Sequence, residues 1–248
     1  MTDLAVPMEQ TPDEAADYGA RQQKARRTLT YLILFAIVMF FAGLTSAYVV
    51  SMSSGYWVDI RVPDAFYLST VVILASSAVV QLALVSTRRG NTARVPLLLA
   101  ITLALGLVFA WSQFQGWSQL VERGNFVVGK VLQSSGTYGT DYTITRNGVP
   151  LVLEEGEFFL PDDVERRKPL NAELNEQQNT ASSYFYVLTA AHLAHLVFGL
   201  LALALLLFRA TKGRYTAASH TGLWQGTLYW HFLGGLWVYL LLFLVIIH

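Results

Sequence analysis

The chain has 248 residues, no net formal charge and only 14% charged residues, against 54% hydrophobic residues and a mean hydropathy of +0.42. A disordered chain needs low hydrophobicity and many charges, and a nucleic-acid-binding protein needs a basic surplus, so both classes are excluded. The absence of cysteine also excludes disulfide scaffolds, thiolate metal sites and cysteine nucleophiles.

Five stretches of 23 to 34 residues contain no Asp, Glu, Lys or Arg: 28–58, 65–87, 95–121, 177–208 and 215–248. A helix crosses a bilayer with about 20 apolar residues, so each stretch predicts one transmembrane helix. The first stretch follows a polar arm and is longer than the core of a signal peptide, which indicates a retained helix. The predicted organisation is an arm (1–27), three helices (28–121), an insertion (122–180) and two helices (181–248).

Basic residues indicate the orientation of these helices. Ten of them lie in the arm and in the loops after the second and fourth helices: Arg21, Lys24, Arg26, Arg27, Arg88, Arg89, Arg94, Arg209, Lys212 and Arg214. The insertion instead carries ten acidic and six basic residues. Short basic loops stay in the cytoplasm, so we predict a cytoplasmic N-terminus, a periplasmic C-terminus at His248 and a periplasmic insertion. Tyr56 and Trp57 fit the headgroup level, where aromatic rings collect.

The insertion between the third and fourth helices contains a hairpin motif. Two β-prone runs, 142–146 and 149–153, flank Asn147-Gly148, a pair suited to a type I′ turn. We therefore expect an all-α membrane protein whose one β-containing part is this insertion. Two interpretations stay open for it: an irregular surface loop, or a segment that docks on a neighbouring extracytoplasmic subunit.

Histidines are the polar residues most open to a functional interpretation. No Asp or Glu lies inside the five predicted spans, which argues against an ion-coupled transporter. His192 and His195 are three residues apart and share a helix face with Gly199, and His231 lies in the last helix. Such residues favour helix packing with hydrogen bonds between helices. Contact with lipid headgroups or a polar cavity, and heme ligation by His195 and His231, are the alternatives.

Small residues also form a seam on the first helix, where they predict close packing. Its members are Ala36, Phe40, Gly43 and Ala47.

Motifs in four of the five predicted helices resemble subunit III of heme–copper cytochrome oxidases, in its short five-helix bacterial form. The motifs are Val38-Met39-Phe40-Phe41-Ala42-Gly43-Leu44, Gln113 with Trp117, His192-x-x-His195-x-x-x-Gly199, His220-x-Gly222, and Tyr229-Trp230-His231-Phe232 followed by Leu236-Trp237.

This resemblance implies an accessory subunit of a terminal oxidase that reduces O2 to water and pumps protons across the bacterial inner membrane. Such a subunit stabilises subunit I, supports its proton uptake and holds phospholipids in a cleft. Heme and copper are then expected in the partner subunits I and II, with no cofactor, metal or catalytic residue in this chain. The resemblance also allows a small subunit IV and a respiratory supercomplex partner. It implies no nucleic-acid partner. The residues to which we assign a lipid or packing role are His192, His195, Gly199, His220, Trp230 and His231.

Four positions depart from the family pattern, which usually carries carboxylates there: Ile37, Gly116, Trp224 and Gly234. Any role of those carboxylates in proton uptake is therefore not transferred to this chain. Two alternative functions remain at this point: the subunit-III-like accessory protein of nitric oxide reductase, and a membrane cytochrome that binds heme b.

Overall fold

The computed structural model describes residues 12–53 and 55–247. Within them, five helices are long and apolar enough to cross a membrane, and a sixth is short. Their bounds are α1 Pro12–Met52, α2 Asp64–Arg88, α3 Val95–Glu122, the short α4 Asn171–Glu176, α5 Thr180–Thr211 and α6 Thr221–Ile246. The prediction of an all-α membrane protein with five long helices is confirmed. The orientation across the membrane stays a prediction, and His248 lies outside the described residues.

Helices α2, α3, α5 and α6 form a four-helix bundle, and α1 leans against α5 and α6. Aromatic rings fill the bundle core. Phe66 of α2 stacks on Phe185 of α5 with their centroids 5.7 Å apart, and Trp237 of α6 meets the Phe66 and Phe109 rings edge-on. Edge-to-face and offset-stacked contacts of this kind stabilise a core beyond the area they bury.

The first helix starts earlier than the apolar run does. It begins at Pro12, so residues 12–27 of the predicted arm continue the transmembrane helix, in keeping with the high helix propensity of their Ala, Arg, Gln and Lys residues. Its inner face buries Ile37, Phe41, Thr45 and Tyr48. The predicted small-residue seam is not part of this packed face. Gly43 and Ala47 are exposed, and no other side chain lies within 4 Å of a Cβ built on Gly43.

Two small antiparallel sheets occupy the end of the bundle where the insertion lies. Strands β1 Tyr56–Ile60, β2 Tyr142–Arg146 and β3 Val149–Pro150 form one sheet, and β4 Val152–Glu154 pairs with β5 Glu157–Phe159 in the other. The turn between β2 and β3 is the Asn147-Gly148 pair, with φ of 51° and 79° as a type I′ turn requires. The expected second strand, 149–153, is divided, because β3 ends at Pro150 and Val152 starts the other hairpin.

The sequence did not indicate the partner of this hairpin. Strand β1 belongs to the loop between α1 and α2, and it pairs with the whole of β2, from Tyr56 opposite Arg146 to Ile60 opposite Tyr142. The insertion therefore docks on the first loop of its own chain, which neither of our two interpretations included. The backbone groups of β2 thus have hydrogen-bond partners in β1. The side chains of Val58 and Ile144, which face each other in this pair of strands, are buried.

A buried polar cluster holds the insertion to the start of α5. The Asn179 side-chain amide donates to Asn125 Oδ1 at 3.1 Å and to Ser134 Oγ at 3.2 Å, while Asn179 Oδ1 accepts the Ser182 backbone N–H as an N-cap. Ser182 Oγ donates to the Phe126 carbonyl at 2.8 Å. Since each of these buried groups has a partner, the cluster fixes the insertion relative to α5 at little desolvation cost.

Asp59→Asn is expected to stabilise the sheet at neutral pH. Burial raises the pKa of the Asp59 carboxyl above its usual range, so the folded chain holds this proton more tightly than the unfolded chain does. The stability gained from protonated Asp59 is complete below the unfolded pKa and is lost as the pH rises through the raised folded pKa. Asparagine carries no such dependence. Hydrogen-exchange protection of β2, compared between pH 5 and pH 8, measures the difference.

The matched control for this experiment is Asp162→Asn in the insertion, where the side chain is exposed. Asp162→Asn should leave the protection of β2 unchanged at both pH values. Equal pH dependence in the wild-type chain and in Asp59→Asn would show that burial of Asp59 does not control the stability of the sheet.

Candidate functional site

A groove of about 680 Å³ lies between α1 and the bundle. Its lining comes from three helices: Thr30, Ile33, Ala36, Ile37 and Phe40 on α1, His195, Phe198 and Ala202 on α5, and Gln225, Gly226 and Tyr229 on α6. Most of these side chains are apolar, with one imidazole and a few hydroxyl and amide groups among them. The groove therefore suits a long apolar ligand that also carries a polar end.

Hydrogen bonds on both sides of the groove hold α1 to the bundle. Toward the sheet, the hydroxyls of Thr45 and Tyr239 are 3.1 Å apart, and those of Ser51 and Tyr184 are 3.0 Å apart. Toward the other end, the Gln225 amide donates to the Arg26 carbonyl and to Thr30 Oγ1, both at 3.0 Å.

The part of α1 around Arg26 is also held by an aromatic side chain of α6. The Arg27 guanidinium lies 5.4 Å from the centre of the Trp224 ring, which Tyr31 meets edge-on. Such a cation–π contact adds to the hydrogen bonds of Gln225. Basic side chains are thus placed at one mouth of the groove.

His195 faces this groove. Its Nδ1 donates to the Ala191 carbonyl of its own helix at 2.7 Å, and its ring lies 5.6 Å from the Phe41 ring of α1. Tyr229 of α6 donates its hydroxyl to the His195 carbonyl at 3.1 Å. Because Nδ1 carries the proton of this bond, Nε2 is the acceptor that remains on the neutral ring.

His192 points into the bundle instead. It is fully buried, with its ring centre 5.2 Å from Trp237 and 5.8 Å from Phe109. Neither ring nitrogen has a hydrogen-bond partner among the described residues. The spacing of three residues thus places one imidazole in the aromatic core and the other in the groove. The hydrogen bonds expected from His192 across the helix interface are not formed.

Gly199 and Trp230 belong to the packing of the bundle. Trp230 is fully buried and donates its indole N–H to Ser76 Oγ at 2.9 Å. A Cβ at Gly199 would lie 2.9 Å from Leu233 Cδ1 and 3.3 Å from the Trp230 ring. A Cβ at Gly106 would lie 2.7 Å from the Trp230 ring. Glycine at both positions therefore makes room for the indole.

His220 and His231 lie apart from the groove. His220 precedes α6 and donates from Nδ1 to the Ala217 carbonyl at 2.8 Å. His231 donates from Nε2 to Gln81 Oε1 of α2 at 3.1 Å. His195 contacts α1 and His231 contacts α2, so the two rings do not form the opposed pair that the heme alternative requires. Within the described residues, no group of three or more His, Asp or Glu is arranged to hold a metal.

Of the six candidate residues, only His195 lines the groove, and the groove itself was not predicted. Thr30 and Gln225 line the groove, and neither was assigned a role from the sequence. The signal that could have pointed to them is weak: Thr30 and Gln225 are polar residues near the ends of two charge-free stretches.

Comparison with known proteins gives a consistent picture. Residues 169–248 match the family model described as cytochrome c oxidase subunit III, and this segment holds all six candidate residues. The chain is 26% identical over 217 residues to cytochrome c oxidase subunit 3 of Corynebacterium diphtheriae, which covers 84% of this chain and 82% of the relative. Over 214 residues it is 25% identical to the probable subunit 3 of Mycobacterium leprae, covering 84% and 81%.

A shorter match is closer in sequence. Over 69 residues, 27% of this chain and 30% of the relative, the identity with cytochrome c oxidase subunit 3 of Synechocystis is 41%.

Proposed function

We propose that the chain is a member of the cytochrome c oxidase subunit III family, as its similarity to that family supports, and that it acts as a lipid-holding scaffold of a terminal oxidase. It is an accessory subunit and a multi-pass membrane protein. In the proposed role it braces subunit I, supports proton uptake there and keeps phospholipid beside it. Heme and copper lie in subunits I and II, and the complex lies in the bacterial inner membrane.

The groove beside α1 is the observation that carries this proposal. Its volume of about 680 Å³ and its apolar walls suit an acyl chain rather than a polar substrate. Arg26 and Arg27 lie at one mouth, where α1 is held to Gln225 and Trp224. Cationic side chains at the membrane surface attract anionic lipid headgroups, so a phospholipid fits with its chain between α1 and α5 and its phosphate near these arginines.

The scaffold role agrees with the side chains inside the five spans. The membrane spans 21–52, 64–88, 92–122, 180–211 and 221–246 contain no Asp or Glu, apart from Asp64 and Glu122 at helix ends. Intramembrane carboxylates are the usual carriers of a proton path. Support for proton uptake is therefore proposed to act through the position and lipid environment of subunit I and not through a relay in this chain.

Ala202→Trp is expected to reduce the phospholipid that co-purifies with the oxidase. Ala202 lines the groove on α5, and an indole there would occupy the space proposed for the acyl chain. Quantitative lipid mass spectrometry of the purified complex measures the loss.

The matched control is Ala204→Trp, which adds the same side chain to an exposed position on the same helix, outside the groove. The lipid content of this variant should equal that of the wild-type complex. If both variants retain the wild-type lipid content, the groove does not hold phospholipid, and the lipid part of the proposal is wrong.

A further inference from the structure

A pair of polar side chains, the exposed Gln81 of α2 and the half-buried His231 of α6, lies on the outer face of these two helices. His231 of α6 donates from Nε2 to Gln81 Oε1 of α2 at 3.1 Å, in a hydrogen bond that is open to the surroundings. Because Nε2 carries the proton, His231 Nδ1 is left as an acceptor, and the Gln81 amide keeps its N–H donors. Neither group has another hydrogen-bond partner in the described part of the chain.

Both residues lie well inside their transmembrane helices. Gln81 precedes the end of α2 at Arg88 by seven residues, or about 10 Å, and His231 follows the start of α6 at Thr221 by ten residues, or about 15 Å. At that depth a lipid chain offers no hydrogen-bonding group. Polar side chains in transmembrane helices accordingly face other helices or a cavity, and not lipid.

Small residues flank the polar pair. A Cβ at Gly234 would lie 3.2 Å from Ser77 Oγ, so α2 and α6 approach closely there. On the outer side, Ala78 and Gly235 are exposed, and a Cβ at Gly235 would have no atom within 4 Å. The line along the outer side of the two helices is here named the α2–α6 face. Its exposed members are Leu74, Ala78, Gln81 and Gly235, and its half-buried members are His231 and Val238 on α6.

We propose that the α2–α6 face docks a transmembrane helix of another oxidase subunit, which presents a hydrogen-bonding side chain or carbonyl at the depth of Gln81. The small residues let that helix approach closely, and the polar pair gives it a hydrogen-bond partner that lipid cannot supply. The inference rests on the proposed function, because it assigns a surface to the contact between subunits that the function requires.

The outer face of α3 is the natural comparison. Leu107, Val108 and Ala104 are exposed there, and all three are apolar. Lipid chains satisfy such a surface completely, since it has no hydrogen-bonding group to cover. We therefore assign lipid to this part of α3 and a protein helix to the α2–α6 face.

Photo-crosslinking in membranes that contain the complete oxidase tests the assignment. A benzoylphenylalanine probe replaces Leu74, which is 52% exposed, or Leu107, which is 56% exposed. The probe at Leu74 should crosslink to a peptide from a transmembrane helix of another oxidase subunit, with a yield several-fold above that at Leu107. Lipid adducts alone at Leu74, crosslinks between two copies of this chain, or equal yields at both positions would overturn the proposal.

A pair of matched alanine variants provides a second measurement. Ala78→Leu should reduce co-purification of the chain with the oxidase several-fold, whereas Ala104→Leu should not, although both alanines are exposed in the isolated chain. Equal retention of the two variants also overturns the proposal. Co-purification of the wild-type chain separates the proposed function from the proposed docking face. If the wild-type chain binds no oxidase subunit, the proposed function fails as well. If it binds normally but Leu74 gives only lipid crosslinks, the α2–α6 face alone is refuted.

Discussion

Gly116→Ala is expected to destabilise the bundle by about 3 kcal/mol, at the upper end of what overpacking of a core costs. A Cβ at this position would overlap the ring of Phe66. That ring is fully buried, stacked on Phe185 and met edge-on by Trp237 at 5.4 Å, so it has no free space to move into. Thermal unfolding of the detergent-purified chain measures the loss, together with the yield of folded protein.

Gly43→Ala is the control for this variant. Gly43 lies in α1, and a Cβ there would have no atom within 4 Å, so this methyl group should not lower the melting temperature. Combining Gly116→Ala with Phe66→Leu removes the overlapping ring atoms and should recover part of the stability. A Gly116→Ala chain as stable as Gly43→Ala would mean that Phe66 can move, contrary to its packing.

Trp230→Ala is expected to cost a similar amount, about 3 kcal/mol, near the lower end of the range for truncation of a large aromatic residue in a core. Trp230 is fully buried and fills the space that Gly106 and Gly199 leave. In a membrane, the unfolded helices stay in apolar surroundings, so the loss comes from van der Waals contacts and not from exposure to water. The hydrogen bond to Ser76 is lost as well.

Ser76→Ala separates the two contributions to the Trp230 effect. It removes the bond to the indole, and with it the bond from Ser76 Oγ to the Thr102 carbonyl at 3.3 Å, but it leaves the ring in place. The expected cost is at least about 1 kcal/mol, because the buried indole N–H is left without a partner. The surface control is Trp111→Ala, where the removed side chain is 66% exposed and the expected change is below about 0.5 kcal/mol. Unfolding in detergent measures all three variants. A Trp230→Ala effect no larger than that of Trp111→Ala would contradict the central position of the Trp230 indole.

The five long helices could be predicted from the sequence because a membrane leaves few alternatives. Every backbone group in the hydrocarbon must find a partner within the chain, so a charge-free stretch of suitable length forms a helix. The Asn147-Gly148 turn was equally accessible, because its geometry depends on two adjacent residues that tolerate positive φ.

Strand β1 could not be found in the same way. Tyr56 and Trp57 carry the signal of an interfacial aromatic pair as well as that of a strand, and their partners in β2 lie more than 80 residues further along the chain. Nothing local to either segment indicates such a pairing. Whether Tyr56 and Trp57 form a strand or only an interfacial aromatic pair depends on tertiary contacts.

The groove beside α1 could not be predicted from the sequence, for a different reason. On α1, the buried Phe41 and the exposed Phe40 are the same residue type, because the lipid outside a membrane protein is as apolar as its core. Hydrophobic periodicity therefore cannot tell which face of α1 packs and which faces lipid. The same ambiguity applies to His192 and His195, which spacing assigns to one face and which the structure places in the core and in the groove.

The pairing of β1 with β2 also has a consequence for biogenesis. Strand β1 leaves the ribosome first, and it has no partner until α2 and α3 have been inserted and the chain has returned to the same end of the bundle. At a synthesis rate of about 5–20 residues per second, the interval between the two strands is roughly 4–16 s. An unpaired strand of this kind is a site where a chaperone or a wrong partner can bind. Closure of the sheet thus marks the moment at which the first three helices have all been threaded into the membrane.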